Sequence, residues 1–267
     1  MKSSLIMIIS AVWVLMAIWL GLVSCAGLLA LRVWRRAGGL LKKQMLYVWV
    51  GTLLVFIGDF VHTVAFTISK YTDNPTGPIT VGGSVFEFRT FAMFFDGLAF
   101  IIYYGLWALF VVARYQGGVF SLSDKVCVAM AVAAAAFIAP GAVPNAFGLY
   151  SLSYNLTAWS PHMVLFIIFG PATIWKLTCC ARAQAATADA FTRAQERALF
   201  KMGICLLISF GFFALTIFLL PFYPRASLFM MPKTFAYMGA FYFLISGFLL
   251  PEYRRRALPV EPMLFTC

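Results

Sequence analysis

Gly58-Asp59-Phe60-Val61-His62 sets a carboxylate and an imidazole three residues apart, on adjoining positions of one helical face. Side chains so spaced can share a hydrogen bond. An acid beside a histidine in apolar surroundings can hold a cation, relay a proton or act as general acid and base. A second acid, Asp96, lies seven residues from both Arg89 and Tyr103, which keeps the three near one face of a helix. On that face Arg89 stands at the mouth, Asp96 beneath it and Tyr103 deeper, with Glu87 joining the rim. Further along, Pro232-Lys233 opens the last apolar run with Tyr237 one turn below, and His162 follows Pro161 at the start of another.

Four of these residues also have a plainer reading. Asp59 and His62 can tie helices together as a polar pair, at about 1 kcal/mol per hydrogen bond. Lys233 and His162 stand so close to helix starts that they suit interfacial side chains reaching toward water. An ionisable group inside hydrocarbon is costly unless it faces the bundle interior or a wet cavity, so depth favours a functional role for Asp59, His62 and Asp96.

The elements that position them are membrane spans. The 267 residues are 63% hydrophobic and only 11% charged, with a mean hydropathy of +0.92, far from the composition of a water-soluble domain. Runs of about 20 apolar residues cross a bilayer as helices, which satisfy their own backbone polar groups there. Seven runs are expected, in a single transmembrane domain: Leu5 to Leu31, Met45 to Ile68, Thr90 to Ala113, Val126 to Val143, His162 to Cys179, Ala198 to Leu220 and Leu228 to Leu250. Strand-type alternation is absent. The fourth run, with Ala133-Ala-Ala-Ala-Phe137 at its centre, has small side chains that let neighbouring backbones approach. The fold class is therefore all-α, an integral membrane seven-helix bundle. Of the nine acids, only Asp59 and Asp96 fall clearly within these spans.

Of the 20 basic residues, all but Lys2, Lys70, Arg89, Arg225 and Lys233 cluster on one side of the bundle. The positive-inside rule makes that side cytoplasmic, with the N-terminus outside, the C-terminus inside and the plasma (inner) membrane as the expected location. The net charge of +11 is spread over separate connectors without a basic arm, which points to anionic inner-leaflet lipids as partners and away from nucleic acid. Lys2 and the Leu22-Val-Ser-Cys25 stretch resemble a secretory leader, but the apolar run continues to Leu31 and meets Arg32, so the first run is expected to stay as a helix. None of the six cysteines lies in an outer connector, where disulfides would form. Two outer connectors, Ser69 to Arg89 and Pro144 to Pro161, carry irregular or aromatic sequence and are expected to lie over the bundle mouth.

The motif Gly58-Asp59-x-x-His62 in the second span resembles that of a group of prokaryotic seven-helix membrane proteins with no assigned activity. The resemblance extends toward the third span. It implies a site there and carries over no mechanism. The helix count is also similar to that of rhodopsins, but Tyr237 to Ser246, the middle of the last span, holds no lysine.

Two histidines are too few for a paired haem site, the acids and histidines within the spans too few for the three or four convergent ligands of a metal centre, and no phosphate loop or nucleophile elbow is present. Asp59, His62, Asp96, Arg89, Tyr103, Lys233, Tyr237 and His162 thus form the candidate ligand-binding or proton-relay set, in an outward-opening polar and aromatic pocket for a small molecule or lipid. Sensing or binding of that ligand, or an accessory role beside a membrane-protein partner, asks least of these residues. An intramembrane enzyme acting on a lipid-like substrate through Asp59, His62 and Asp96, and a proton-coupled transporter, are the alternatives.

Overall fold

The computed structural model describes residues 2–71, 78–81, 84–146, 161–220 and 222–257. Its helices are α1 (Lys2–Arg36), α2 (Gly39–Tyr71), α3 (Phe88–Tyr115), α4 (Leu122–Ala146), α5 (Pro161–Thr187), α6 (Ala190–Leu219), α7 (Met230–Phe243) and α8 (Leu250–Ala257). A π-helical segment, Leu244–Leu249, joins α7 to α8, so that Met230–Ala257 makes one continuous span. Seven helices are long and apolar enough to cross a membrane, and the chain is an integral, multi-pass membrane protein.

Successive helices pack as neighbours, and the seventh span returns against α1 to close the bundle. α3 is its axis. Half of its span is buried, more than in any other, and it leans across the interior to reach α5 as well as α2 and α4. The reason is its side chains: Phe94, Tyr103, Tyr104, Trp107 and Phe110 are all buried, more large aromatics than any other described helix gives the core. α4 is the opposite case, with 22% of its span buried. Its Ala131 and Ala134 face inward, and a Cβ on Gly105 of α3 would stand 3.2 Å from Ala131 Cβ, the close approach its small residues predict. Val132 and Phe137 on its far face are 64% and 50% exposed, as suits lipid.

Three expectations need correction. The stretch 181–197, between the fifth and sixth expected runs and long enough for only a short helix extension, is helical apart from Ala188 and Asp189. Ala181, Ala183, Ala185 and Ala186 continue α5, and Asp189 caps α6, its carboxylate accepting from the backbone N–H of Phe191 at 2.9 Å and of Thr192 at 3.1 Å. The connector after α2 is not wholly irregular, because Pro78–Val81 (β1) and Ser84–Glu87 (β2) pair antiparallel, Ile79 opposite Phe86 and Thr80 opposite Val85. That pairing suits the β-branched and aromatic side chains of both segments. Asp59 and Asp96 are also not the only acids inside the spans. Asp124 lies in α4, Glu196 in α6 and Glu252 in α8, each 3% exposed or less, because these spans begin or end beyond the purely apolar runs. The rest of the expected mouth connectors, residues 72–77, 82–83 and 147–160, lies outside the described residues.

Candidate functional site

At the end of the bundle opposite the arginine clusters, a cavity of about 220 Å³ lies among α2, α3, α4, α5, α6 and α7. Its polar lining comes from four helices: His62 of α2, Asp96 of α3, His162 of α5, and Lys233 and Tyr237 of α7. The remainder is apolar, including Met93, Phe100, Ile138, Phe166, Phe213 and Ile217. The aromatic wall is continuous. Phe166 and Phe210 stand 5.2 Å apart between ring centroids, Phe210 and Phe213 5.9 Å, and Tyr104 meets Phe210 edge-on at 5.6 Å. Rings held this way by one another form a rigid wall, the usual setting for a few oriented polar groups in a ligand site.

Lys233 turns its side chain into the bundle. Its ammonium sits 5.0 Å from the Phe213 centroid, 5.5 Å from Phe100 and 5.8 Å from Tyr237, on the cavity side of α7. Asp96 and Asp59 are close enough for their charges to act on it. Its backbone is fixed as well, since Ser209 Oγ of α6 donates to the Lys233 carbonyl at 3.1 Å. Tyr237 forms the neighbouring corner, its hydroxyl 2.5 Å from that of Tyr104.

Asp59 occupies a second layer. Its Oδ2 accepts a hydrogen bond from Trp19 Nε1 of α1 at 2.8 Å, and the residue does not line the cavity. It lies within electrostatic reach of Asp96, Lys233 and His62, so it acts on the cavity through its field. Tyr103 also stays out of the cavity. It is packed in the core, parallel to Phe241 at 6.4 Å and edge-on to Tyr104 and Trp107. The side chains of Arg89 and Glu87 lie outside the described residues. Of the eight residues singled out by type and spacing, the fold therefore gathers His62, Asp96, His162, Lys233 and Tyr237 around one space and puts Asp59 directly behind it.

Trp19 escaped the sequence reading because a tryptophan in an apolar run reads as a packing or lipid-facing residue. Its indole N–H, a donor that needs a partner when buried, is the only signal. The opposite end of the bundle was missed altogether. There Arg114 of α3 donates through Nε and Nη2 to Glu196 Oε1 of α6, at 2.9 and 2.6 Å, while Tyr115 donates to Oε2 at 2.7 Å. Arg114 Nη1 also reaches Gln44 Oε1 of α2 at 3.3 Å, and the guanidinium lies 4.7 Å from the Phe248 centroid, on the π-helical segment. Beside this cluster Glu252 accepts from Gln195 at 3.2 Å and from Arg255 and Arg256 at 2.8 Å. Lys176 of α5 meets Asp124 of α4 at 2.5 Å. Each buried acid at this end thus has a cation and further donors, the arrangement that makes a buried charge tolerable.

No family model, curated protein or solved structure matches the chain, so the reading of the site rests on its own geometry.

Proposed function

We propose that the chain is a membrane receptor or binding subunit for a small ligand held in the cavity between α3, α6 and α7. The observation that carries this reading is the convergence of His62, Asp96, His162, Lys233 and Tyr237 on one aromatic-walled space of about 220 Å³. Few convergent polar groups within apolar walls are the hallmark of a small-molecule site. On this reading the cavity end faces the exterior, because the basic residues gather at the other end.

Sensing also needs a route to the other face, and the packing supplies one. α3 carries Asp96 and Phe100 at the cavity and Arg114 at the basic end, while α6 carries Phe213 and Ile217 at the cavity and Glu196 at the basic end. A ligand that changes the spacing of α3 and α6 at one end bears on the Arg114–Glu196 pair at the other, and it shifts a two-state equilibrium only as far as it prefers one spacing.

The test is ligand-dependent thermal unfolding of purified protein, compared with an Ile217→Trp variant whose indole fills the cavity. A ligand at one hundred times its Kd stabilises the wild type by about 2.7 kcal/mol, and the filled variant should lose that response while remaining folded. A response of equal size in Ile217→Trp would remove the cavity from the mechanism.

A further inference from the structure

We infer that the cavity takes a zwitterion: a ligand with an ammonium and an anionic group close together on an apolar body, as in a free amino acid with a large apolar side chain or the headgroup of a zwitterionic phospholipid. The inference rests on the binding reading above and specifies its ligand class.

Asp96 and Lys233 line the same cavity from α3 and α7. Opposite charges in a low-dielectric interior attract strongly and ordinarily close into contact, as Arg114 with Glu196 and Lys176 with Asp124 do at the other end. Here they stay apart. Among the described residues Lys233 makes no ion pair, and its ammonium rests instead among the rings of Phe100, Phe213 and Tyr237. Asp96 Oδ1 meets no hydrogen-bond donor among the described residues. Each charge therefore retains unused capacity toward a partner, and the gap between them belongs to the cavity.

A ligand carrying only a cation would satisfy Asp96 while facing Lys233, and one carrying only an anion would satisfy Lys233 while facing Asp96 with Asp59 behind it. A zwitterion pairs with both and leaves the net charge of the site unchanged. The volume agrees. At about 220 Å³ the cavity falls short of the roughly 300–1,000 Å³ of drug-sized sites, and suits one compact head with one aromatic or branched side chain against Ile138, Phe166 and Ile217.

Three probes sharing one phenyl body separate the possibilities: L-phenylalanine, phenethylamine and 3-phenylpropionate, titrated against the full chain in phosphatidylglycerol nanodiscs. A second titration adds phosphatidylethanolamine to the discs. Phenylalanine should bind at least roughly tenfold more tightly than either singly charged probe, because each of those leaves one charged group of the site unpaired. If the physiological source is the lipid, phosphatidylethanolamine should raise the unfolding temperature and displace phenylalanine. Asp96→Asn should erase the advantage over 3-phenylpropionate, and Lys233→Gln the advantage over phenethylamine, so one variant suffices if the other does not fold. A singly charged probe that binds as tightly as phenylalanine, and loses binding in Ile217→Trp, overturns the zwitterion while leaving the cavity as a ligand site. Binding indifferent to Ile217→Trp overturns both readings. Failure of both phenylalanine and phosphatidylethanolamine to bind overturns the zwitterion.

Discussion

Gly58 of α2 and Asp96 of α3 touch almost backbone to backbone: a Cβ placed at residue 58 would stand 3.0 Å from Asp96 Oδ1 and 3.3 Å from its Cα. It would also stand 3.1 Å from Ala99 Cβ. The glycine of the Gly-Asp-x-x-His motif thus has a physical task, which is to let α3 come close enough for Asp96 to reach the cavity beside His62. Gly58→Val must push α3 away or turn the carboxylate. Overpacking of this kind costs about 1–3 kcal/mol, and valine's better helix propensity returns only a few tenths. Thermal unfolding in detergent should show the loss, and an unchanged or raised Tm would mean the two helices separate freely.

The Trp19–Asp59 hydrogen bond gives a second expectation. Trp19→Phe keeps an aromatic ring against Tyr237 and Phe241, which lie 5.6 and 5.0 Å away, but leaves a buried carboxylate without its donor at Oδ2. Such an unsatisfied acceptor costs about 1–3 kcal/mol. Asp59→Asn retains a carbonyl oxygen for the same indole, so it should cost less than Trp19→Phe. The reverse order in chemical or thermal unfolding would show that the charge at residue 59, and not the hydrogen bond, stabilises the packing of α1 on α2.

The apolar runs made the seven spans legible, because nothing but hydrocarbon explains their length. The residues at the cavity were legible for a related reason: an ionisable side chain among apolar ones is conspicuous by type alone, and helical spacing put His62, Asp96 and Tyr237 on inward faces. Spacing says nothing about depth relative to another helix. Tyr103 shares a face with Asp96 yet ends in the core, and Asp59, one turn from His62, turns to α1 instead of the cavity. Glu196, Glu252 and Asp124 were hidden because they sit in polar stretches that look like connectors, where only tertiary partners such as Arg114 show that they are buried.

The start of α6 should respond to pH. The Thr192 hydroxyl, at 2.7 Å, together with the N–H groups of Thr192 and Phe191, holds the Asp189 carboxyl below its ordinary value of 3.8. A depressed native-state pKa stabilises the cap at pH above 3.8, and the contribution fades as pH falls through the lower native value. Asp189 is fully exposed, so the effect is confined to the helix end. Amide hydrogen exchange at Phe191 and Thr192, corrected for its intrinsic pH dependence, should lose protection on acidification in the wild type and show a flat profile in Asp189→Ala. Parallel profiles in the two proteins would assign the cap elsewhere.

At the basic end, Glu196 is 2% exposed and Arg114 12%, so neither charge has ready access to water if its partner is removed. Breaking a buried pair from one side typically costs about 3–5 kcal/mol. Tyr115 and Gln44 complicate the two single changes in different ways. Glu196→Gln keeps a carbonyl for Tyr115 or Arg114 and leaves the guanidinium with Gln44 and the Phe248 ring, whereas Arg114→Met leaves the carboxylate with Tyr115 alone. Arg114→Met should therefore be the more destabilising single change. The double variant should recover part of the loss, since two neutral side chains leave no buried charge. Equilibrium unfolding of the four proteins gives the coupling directly. A coupling near zero would show that the pair is incidental to the packing of α3 on α6, and it would remove the link through which the cavity communicates with the far side.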